Sequence, residues 1–304
     1  MEHKEPYISI ILPVYNGENT LKATLDSLLN QTFTNFEVLI GIDGTKDGSK
    51  TIAESFGDKR IKIFENPKNL GLGPNLNAII KHAHPSSKYF AMAEQDDYYV
   101  PERLQWQIVV LDEKEDVGLV SGIVEYKSKD GSFFFPGILI DKKQFPKGEE
   151  LFLLLYKYQL KVVNTCMMWR KSVHEEHNLK FTDKYPNMNI DWDFIMRFSL
   201  VSNIYGIHEV LVVMSRDANN DSVTRNKSLQ HETTRRLLMD FRDEFPNIVK
   251  DSDYKRALKV HRKVELGHHT KLNIFFYGIY YFILYQDFYF IKYIFMRIKR
   301  FMKF

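Results

Sequence analysis

The sequence predicts an α/β protein: a mostly parallel central sheet with flanking helices, followed by a C-terminal helical extension. Three observations carry that expectation. Short apolar runs of strand length recur at 7–14, 36–43, 61–66 and 88–94, helix signals fill the gaps between them, and helical patterns dominate from about residue 226 onward.

Residues 7–14, YISIILPV, form an apolar run ended by Pro13 and the turn-forming Tyr15-Asn16-Gly17, the pattern of a buried strand. In the following NTLKATLDSLLNQ, Leu21, Leu25, Leu28 and Leu29 recur at helical spacing, with Asn19 or Thr20 as N-cap. Strand FEVLIGID (36–43), helix GSKTIAESF (48–56), strand IKIFEN (61–66), a helix from Pro74 through His82 and strand KYFAMAE (88–94) continue the alternation. After residue 101 the pattern loosens. A helix in PERLQWQIVVLDEK leads to strand VGLVSGIVEY, a hairpin around Lys129-Asp130-Gly131 and a helix near 149–158. NTCMMWRKSV reads as a strand running into a helix, DWDFIMRFSLV as a helix, and IYGIHEVLVVMSR as one or two strands. Long helical patterns cover about 227–245 and 252–272, with no repeat and no low-complexity linker.

At 304 residues, 44% hydrophobic and 27% charged, the chain has the make-up of a folded protein rather than a disordered one. Its one cysteine, Cys166, excludes an internal disulfide framework and a cysteine-based zinc site, which suits a reducing compartment. The opening MEHKEPYISIILPVYNG has no signal-peptide pattern, so a cytoplasmic location is expected. The net charge of +3 is unevenly spread: residues 288–304 hold five cations and no acid, leaving −2 for the remainder. That argues against a nucleic-acid-binding body.

In parallel sheets ligands collect at the carboxyl ends of the strands, and PVYNG, DGTKDGS and EQDD each stand at such an end. Asp43 closes a strand, where a carboxylate can accept from a uracil N–H or ribose hydroxyls. Asp47 reads as an Asx-type turn capping the next helix. NLGLGPNLN (69–77) fails the dinucleotide pattern, because Leu76 stands where a third glycine is required. Its Asn69 is either a ligand contact or part of a plain helix cap, and the helix start at Pro74 offers N–H groups to an anion. Glu94, Asp96 and Asp97 crowd like charges that water or a divalent cation must relieve; hard oxygen ligands point to Mg2+ or Mn2+. In NIDWDFIMRF, Asp191 and Asp193 cannot share a helix face, whereas Trp192, Ile195 and Phe198 can be its buried side. One of these acids is an N-cap or, at a crevice mouth, Asp191 is a general base. HEEH (174–177) lacks the zinc-peptidase order and reads as a solvated helix face, and His268-His269 as surface residues.

In order and spacing, ISIILPVYNGENTLKATLDSLLNQTFTNFEVLIGIDGTKDGS, NLGLGPNLN, AEQDDYYVPERLQWQ and DWDFIMRF resemble the family 2 glycosyltransferases of the GT-A fold, over roughly residues 7–225. The resemblance implies a nucleotide-binding half at about 1–101, an acceptor half at about 102–225, and a separate helical region at 226–304. It implies transfer, with inversion, of a sugar from a nucleotide-diphosphate donor, most often a UDP-sugar. Pro13, Tyr15, Asn16, Asp43 and Asn69 would surround the nucleotide. Glu94-Gln95-Asp96 would be the family's D-x-D, with Asp96 on the Mn2+ or Mg2+ ion. Asp191 would be the catalytic base and Arg216 the arginine of a loop closing over the diphosphate. Two positions depart from the pattern: Glu94 replaces the first Asp of D-x-D, and Ile190 replaces the Glu of a Glu-Asp pair. Those departures are what a transferase-like binding or scaffold protein without catalysis would show.

IFFYGIYYFILY (274–285) is shorter than the ~20 residues that span a bilayer. Beyond it Lys292, Lys299 and Lys303 share one helix face, with Phe290, Ile294, Ile298 and Phe301 opposite, the pattern of a helix lying in a membrane interface. Packing on the protein's own body or in a homo-oligomer is the alternative. Peripheral attachment to the inner face of the cell membrane would suit a lipid-linked acceptor.

Overall fold

The computed structural model describes residues 5–129, 131–135, 144–215 and 226–301. Among the described residues nine strands form one sheet: β1 (Ile8–Val14), β2 (Phe36–Ile42), β3 (Ile61–Glu65), β4 (Tyr89–Met92), β5 (Asp97–Tyr99), β6 (Val117–Ser128), β7 (Gly131–Phe135), β8 (Met168–Arg170) and β9 (Asn203–Ser215). The helices are α1 (Leu21–Leu29), α2 (Ser49–Ser55), α3 (Leu72–Ile80), α4 (Arg103–Glu113), α5 (Gly148–Tyr158), α6 (Lys171–Glu176), α7 (Ile190–Val201), α8 (Lys227–Glu244), α9 (Asp251–Leu266), α10 (Lys271–Tyr285) and α11 (Tyr289–Phe301).

The sheet runs β3-β2-β1-β4-β8-β6-β9-β5, with β7 paired to β6. β1 pairs parallel with β2 and β4, β2 with β3, and β6 with β9. Because β8 runs against both β4 and β6, those two point the same way. Six of the nine strands therefore share one direction among the described residues, the mostly parallel sheet expected from the sequence, and the antiparallel pairs come from β5, β7 and β8.

Every residue of β2 is buried, and in β1 only Pro13 is partly exposed, which is why both read as near-continuous apolar runs. Leu21, Leu25 and Leu28 put the apolar stripe of α1 into the same core. Gly41 lets α3 close on β2, since a Cβ there would stand 2.4 Å from Ile79 Cγ1. Winding starts at β1, proceeds outward through β2 and β3, then returns to β4 on the other side. The crevice at the carboxyl ends of β1 and β4 is thus a topological switch point.

Several boundaries differ from the sequence reading. α3 begins at Leu72 rather than Pro74, with Gly71 at its N-cap position in the left-handed region at φ +87°. β5 was not foreseen: three residues give no periodicity, and the strand exists only because Asp97–Tyr99 pair with β9. The HEEH helix face is only partly solvated, because His174 is buried in contact with the rings of Phe90 and Phe194.

The chain divides into two compact units, Met1–Phe152 with Lys161–Ser222, and Leu153–Leu160 with Val223–Phe304. In the second unit Leu266, Ile274, Tyr281, Phe290 and Ile294 form an apolar cluster. The stripe expected to face a membrane is therefore split: Phe290 and Ile294 are buried in the hairpin of α10 and α11, while Ile298 is exposed.

Candidate active site

Three loops meet at the switch point and are stitched together by side chains. After β1, Tyr15 N donates to Gln95 Oε1 and Tyr15 O accepts from Gln95 Nε2, both at 2.9 Å, so the Gln95 amide copies a strand pairing across the crevice. Asn16 N donates to Thr45 Oγ1 at 3.2 Å, and Gly17 N to Ser49 Oγ at 2.9 Å. Asp47 Oδ1 accepts from Ser49 N at 3.1 Å, the Asx-type turn read from the sequence, while its Oδ2 accepts from Glu18 N at 3.0 Å. Tyr15 itself is 48% exposed.

Asp43 follows β2 and is buried, with three of its lone pairs taken by the chain. Its Oδ1 accepts from Asn66 Nδ2 and Leu70 N, and its Oδ2 from Gly71 N, each at 2.9 Å. Asn66 also donates to Asn75 Oδ1 at 2.9 Å, and Asn75 Nδ2 to Gly41 O at 3.0 Å. The carboxylate thus shapes the loop that carries exposed Asn69, whose Oδ1 accepts from Gly71 N at 2.9 Å.

NLGLGPNLN does two further things. Gly73 lies so close to a neighbouring loop that a Cβ would stand 2.3 Å from Thr182 O. Asn77 binds the backbone of Phe181 both ways, at 2.7 and 3.0 Å, and Asn187 Oδ1 accepts from Leu72 N at 2.8 Å. The first N–H of α3 is therefore satisfied within the chain and is not free for an anion. The loop so held, 181–189, leads directly into α7.

In the acidic stretch Asp97 opens β5 and is buried, whereas Glu94 and Asp96 precede that strand. Asp96 is exposed and its carboxylate has no side-chain partner among the described residues. Asp97 is buried and accepts from Thr165 Oγ1; burial pushes its carboxyl up to about 7, against that hydrogen bond. Thr165 Oγ1 also lies 3.0 Å from Tyr99 Oη, which accepts from Glu94 N at 2.7 Å. Arg103, wholly buried, stacks 4.3 Å from the centroid of the Tyr99 ring and donates to Met92 O at 2.6 Å. Glu94 Oε1 accepts from Asn164 Nδ2 at 2.8 Å. Burial, and then the charges of Asp97, Asp96 and Asp191, push the Glu94 carboxyl well above its usual range.

Asp191, an acid nearly a hundred residues further along the chain, is thus among the charges that act on Glu94, and the 181–189 loop held on α3 leads into the turn that carries it. Asp191 stands in the first turn of α7, half-buried, with no hydrogen bond to its carboxylate among the described residues. Neither acid of the helix is its N-cap, since Asn189 occupies that position at φ +56°. Asp193 is instead buried on Arg197 Nε at 2.9 Å, and Trp192, Ile195 and Phe198 form the buried side as read.

The model of glycosyl transferase family 2 matches residues 9–177. The chain belongs to this family. A family 2 transferase of this length resembles a Rickettsia typhi protein named uncharacterized glycosyltransferase, at 32% identity over 232 residues, 74% of this chain and 67% of that one. The Escherichia coli UDP-Glc:alpha-D-GlcNAc-diphosphoundecaprenol beta-1,3-glucosyltransferase WfgD is 32% identical over 132 residues, 42% of this chain and 51% of that one. Among solved structures, Staphylococcus aureus TarS 1-349 in complex with UDP superposes with TM-score 0.56 at 19% identity, over 84% of this chain and 80% of that one. Pyrobaculum calidifontis mannosyltransferase PcManGT, in complex with GDP-Man and Mn2+, gives 0.55 at 12%, over 88% of this chain and 77% of that one. These likenesses show the GT-A fold, and the family makes this chain a glycosyltransferase enzyme.

In this family 2 transferase no three His, Cys, Asp or Glu side chains form a ready metal cage among the described residues. The donor set still fits Mg2+ or Mn2+, which bind through one or two carboxylates and complete their shell with substrate phosphates and water. Exposed Asp96 is such a carboxylate. Arg216 lies outside the described residues. Sequence reasoning assigned no role to Asn66, Asn75, Asn164, Thr165 or Asn187, which hold the site loops. Polar residues flanked by apolar ones in NTCMMW were the available signal.

Proposed function

We propose that this transferase moves a sugar from a UDP-sugar to a hydroxyl of a glycan or lipid-linked acceptor, in one inverting displacement. The observation that carries the reading is that the 181–189 loop, held on α3 by Asn77 and Asn187, leads into the first turn of α7, where the Asp191 carboxylate has no hydrogen bond among the described residues and raises the Glu94 carboxyl. Asp191 takes the proton of the acceptor hydroxyl, whose oxygen bonds to the anomeric carbon while the bond to the diphosphate breaks and its electron pair leaves with the nucleotide. Asp96 would hold Mn2+ or Mg2+, which would supply neutralisation of charge on the departing diphosphate.

Tyr15 offers a ring face to the base, and Asp43 shapes the Asn69 loop around the nucleoside. Arg216 we assign, from the family resemblance, to closure over the diphosphate. UDP as the nucleotide is supported by the names of WfgD and of the TarS complex, and a lipid-linked acceptor by the diphosphoundecaprenol in the former. We read the location as the inner membrane face. Among the described residues no helix is long and apolar enough to cross a membrane.

The test is UDP release from a panel of UDP-sugars with Mn2+ and no acceptor, with and without chelator. Metal-dependent release from one donor supports the assignment. Release from none, despite UDP binding, would overturn it.

A further inference from the structure

Helix α10 has two apolar faces, and only one of them is used. Ile274, Gly278 and Tyr281 turn toward α11, where a Cβ on Gly278 would stand 2.6 Å from Ile294 Cδ1, so the two helices form a tight hairpin. The opposite arc, roughly 200° wide at 100° per residue, carries Leu272, Phe275, Phe276, Tyr280, Ile283 and Leu284, exposed by 68, 46, 60, 56, 63 and 54%. The connecting turn adds Phe288, 67% exposed, and α11 adds Phe295, 62% exposed. Soluble monomers rarely leave so continuous an apolar stripe uncovered.

Charge decides what covers it. From Lys271 to the last residue the chain has one acid, Asp287, against six lysines and arginines. Asp287 is withdrawn from the surface balance by Lys263 Nζ at 2.8 Å and Lys259 Nζ at 3.2 Å. Lys263 foremost holds its carboxyl well below the usual range. Lys292 is exposed with no acidic partner among the described residues. A second copy docking by twofold symmetry would bring two such basic segments together. An anionic bilayer instead supplies acyl chains for the apolar arc and phosphates for the lysines. At fifteen residues α10 reaches about 22 Å, short of the ~30 Å hydrocarbon core, so it lies in the interface rather than crossing.

We propose that the α10–α11 hairpin is a monotopic anchor for anionic membranes, with the outer arc of α10, and not the Phe290–Ile294 stripe of α11, as its lipid-contacting face. The experiment is flotation of the full chain with vesicles of 70:30 phosphatidylcholine:phosphatidylglycerol and of phosphatidylcholine alone, with light scattering of the lipid-free protein. Wild type floats with the anionic vesicles at least tenfold better than with the neutral ones. Phe276→Glu with Ile283→Glu, both at exposed positions, lowers the bound fraction at least tenfold with the melting temperature unchanged. Lys292→Glu weakens it several-fold. The proposal is overturned if wild type stays unbound, if the double variant floats as wild type does, or if the lipid-free protein is a dimer that the double variant dissociates. Sugar transfer is not read in this measurement, so its failure leaves the proposed reaction standing.

Discussion

The side-chain amide of Asn164 donates to Glu94 Oε1 at 2.8 Å, tying the first acid of the EQDD stretch to the segment before β8. Glu94 carries one more methylene than the aspartate usual at that position, and this bond gives the longer side chain a defined place. Asn164→Ala removes the donor beside a carboxyl already strained by burial and three acidic neighbours. Because burial and those neighbours favour the neutral carboxyl, the lost hydrogen bond is worth about 0.5–1.5 kcal/mol. The expected outcome is UDP affinity in Mn2+ weakened by roughly two- to tenfold, read by titration calorimetry, with a small change in melting temperature.

Asp191→Asn keeps the shape of the first turn of α7 but cannot accept a proton. Turnover should fall by about 10²–10⁴, the usual worth of a general base, while UDP binding stays within a factor of two or so. Full turnover in this variant would remove Asp191 from the mechanism.

Gly73→Ala tests whether the NLGLGPNLN segment sets the position of Asp191. The added Cβ meets the carbonyl of Thr182, a backbone atom that cannot swing aside. Destabilisation of about 1–3 kcal/mol is expected from overpacking, together with a drop in kcat larger than any change in donor KM. An unchanged kcat at reduced stability would separate the loop from catalysis.

A pH effect is expected from the second unit. His261 Nδ1 lies 3.1 Å from Gln159 Oε1, His261 Nε2 3.3 Å from His231 Nδ1, and His231 Nε2 2.8 Å from His268 Nδ1. Since Gln159 Oε1 only accepts, the neutral array that fits has a proton on every Nδ1. Burial depresses His231 to about 4 and His261 to about 3, with the positive charge of its histidine neighbour adding in the latter. Both folded values lie below the ordinary 6.5, so the unfolded chain binds the protons first. Stability is then complete above pH 6.5 and declines toward pH 4, by up to about 1.4 kcal/mol per pH unit for each group. The slope of melting temperature against pH over that range should shrink in His261→Gln.

How much of the site was legible varied with how local its cause was. Asp96 and Asp191 stood out as candidates because an acid just past a strand's carboxyl end or in a helix's first turn is visible in a linear string. Asp43 was legible as a strand-end carboxylate, but its binding to Asn66, Leu70 and Gly71 depends on where the third strand brings its loop. Asn164 and Thr165 were legible only as polar residues in an apolar run, with nothing to name their partners. Nothing in NTCMMW says that it passes beside residues 94–99 until β8 inserts between β4 and β6.

The order of strands and helices from β1 through β4 followed from the sequence alone, because burial of β1 and β2 on both faces leaves a continuous apolar signature. Tertiary structure alone decided the rest. β5 exists only through its pairing with β9, Asp97 turns inward while Asp96 stays out, and α11 buries Phe290 and Ile294 against α10. Periodicity shows that a helix has an apolar face, but which neighbour covers that face depends on long-range packing that no local pattern encodes.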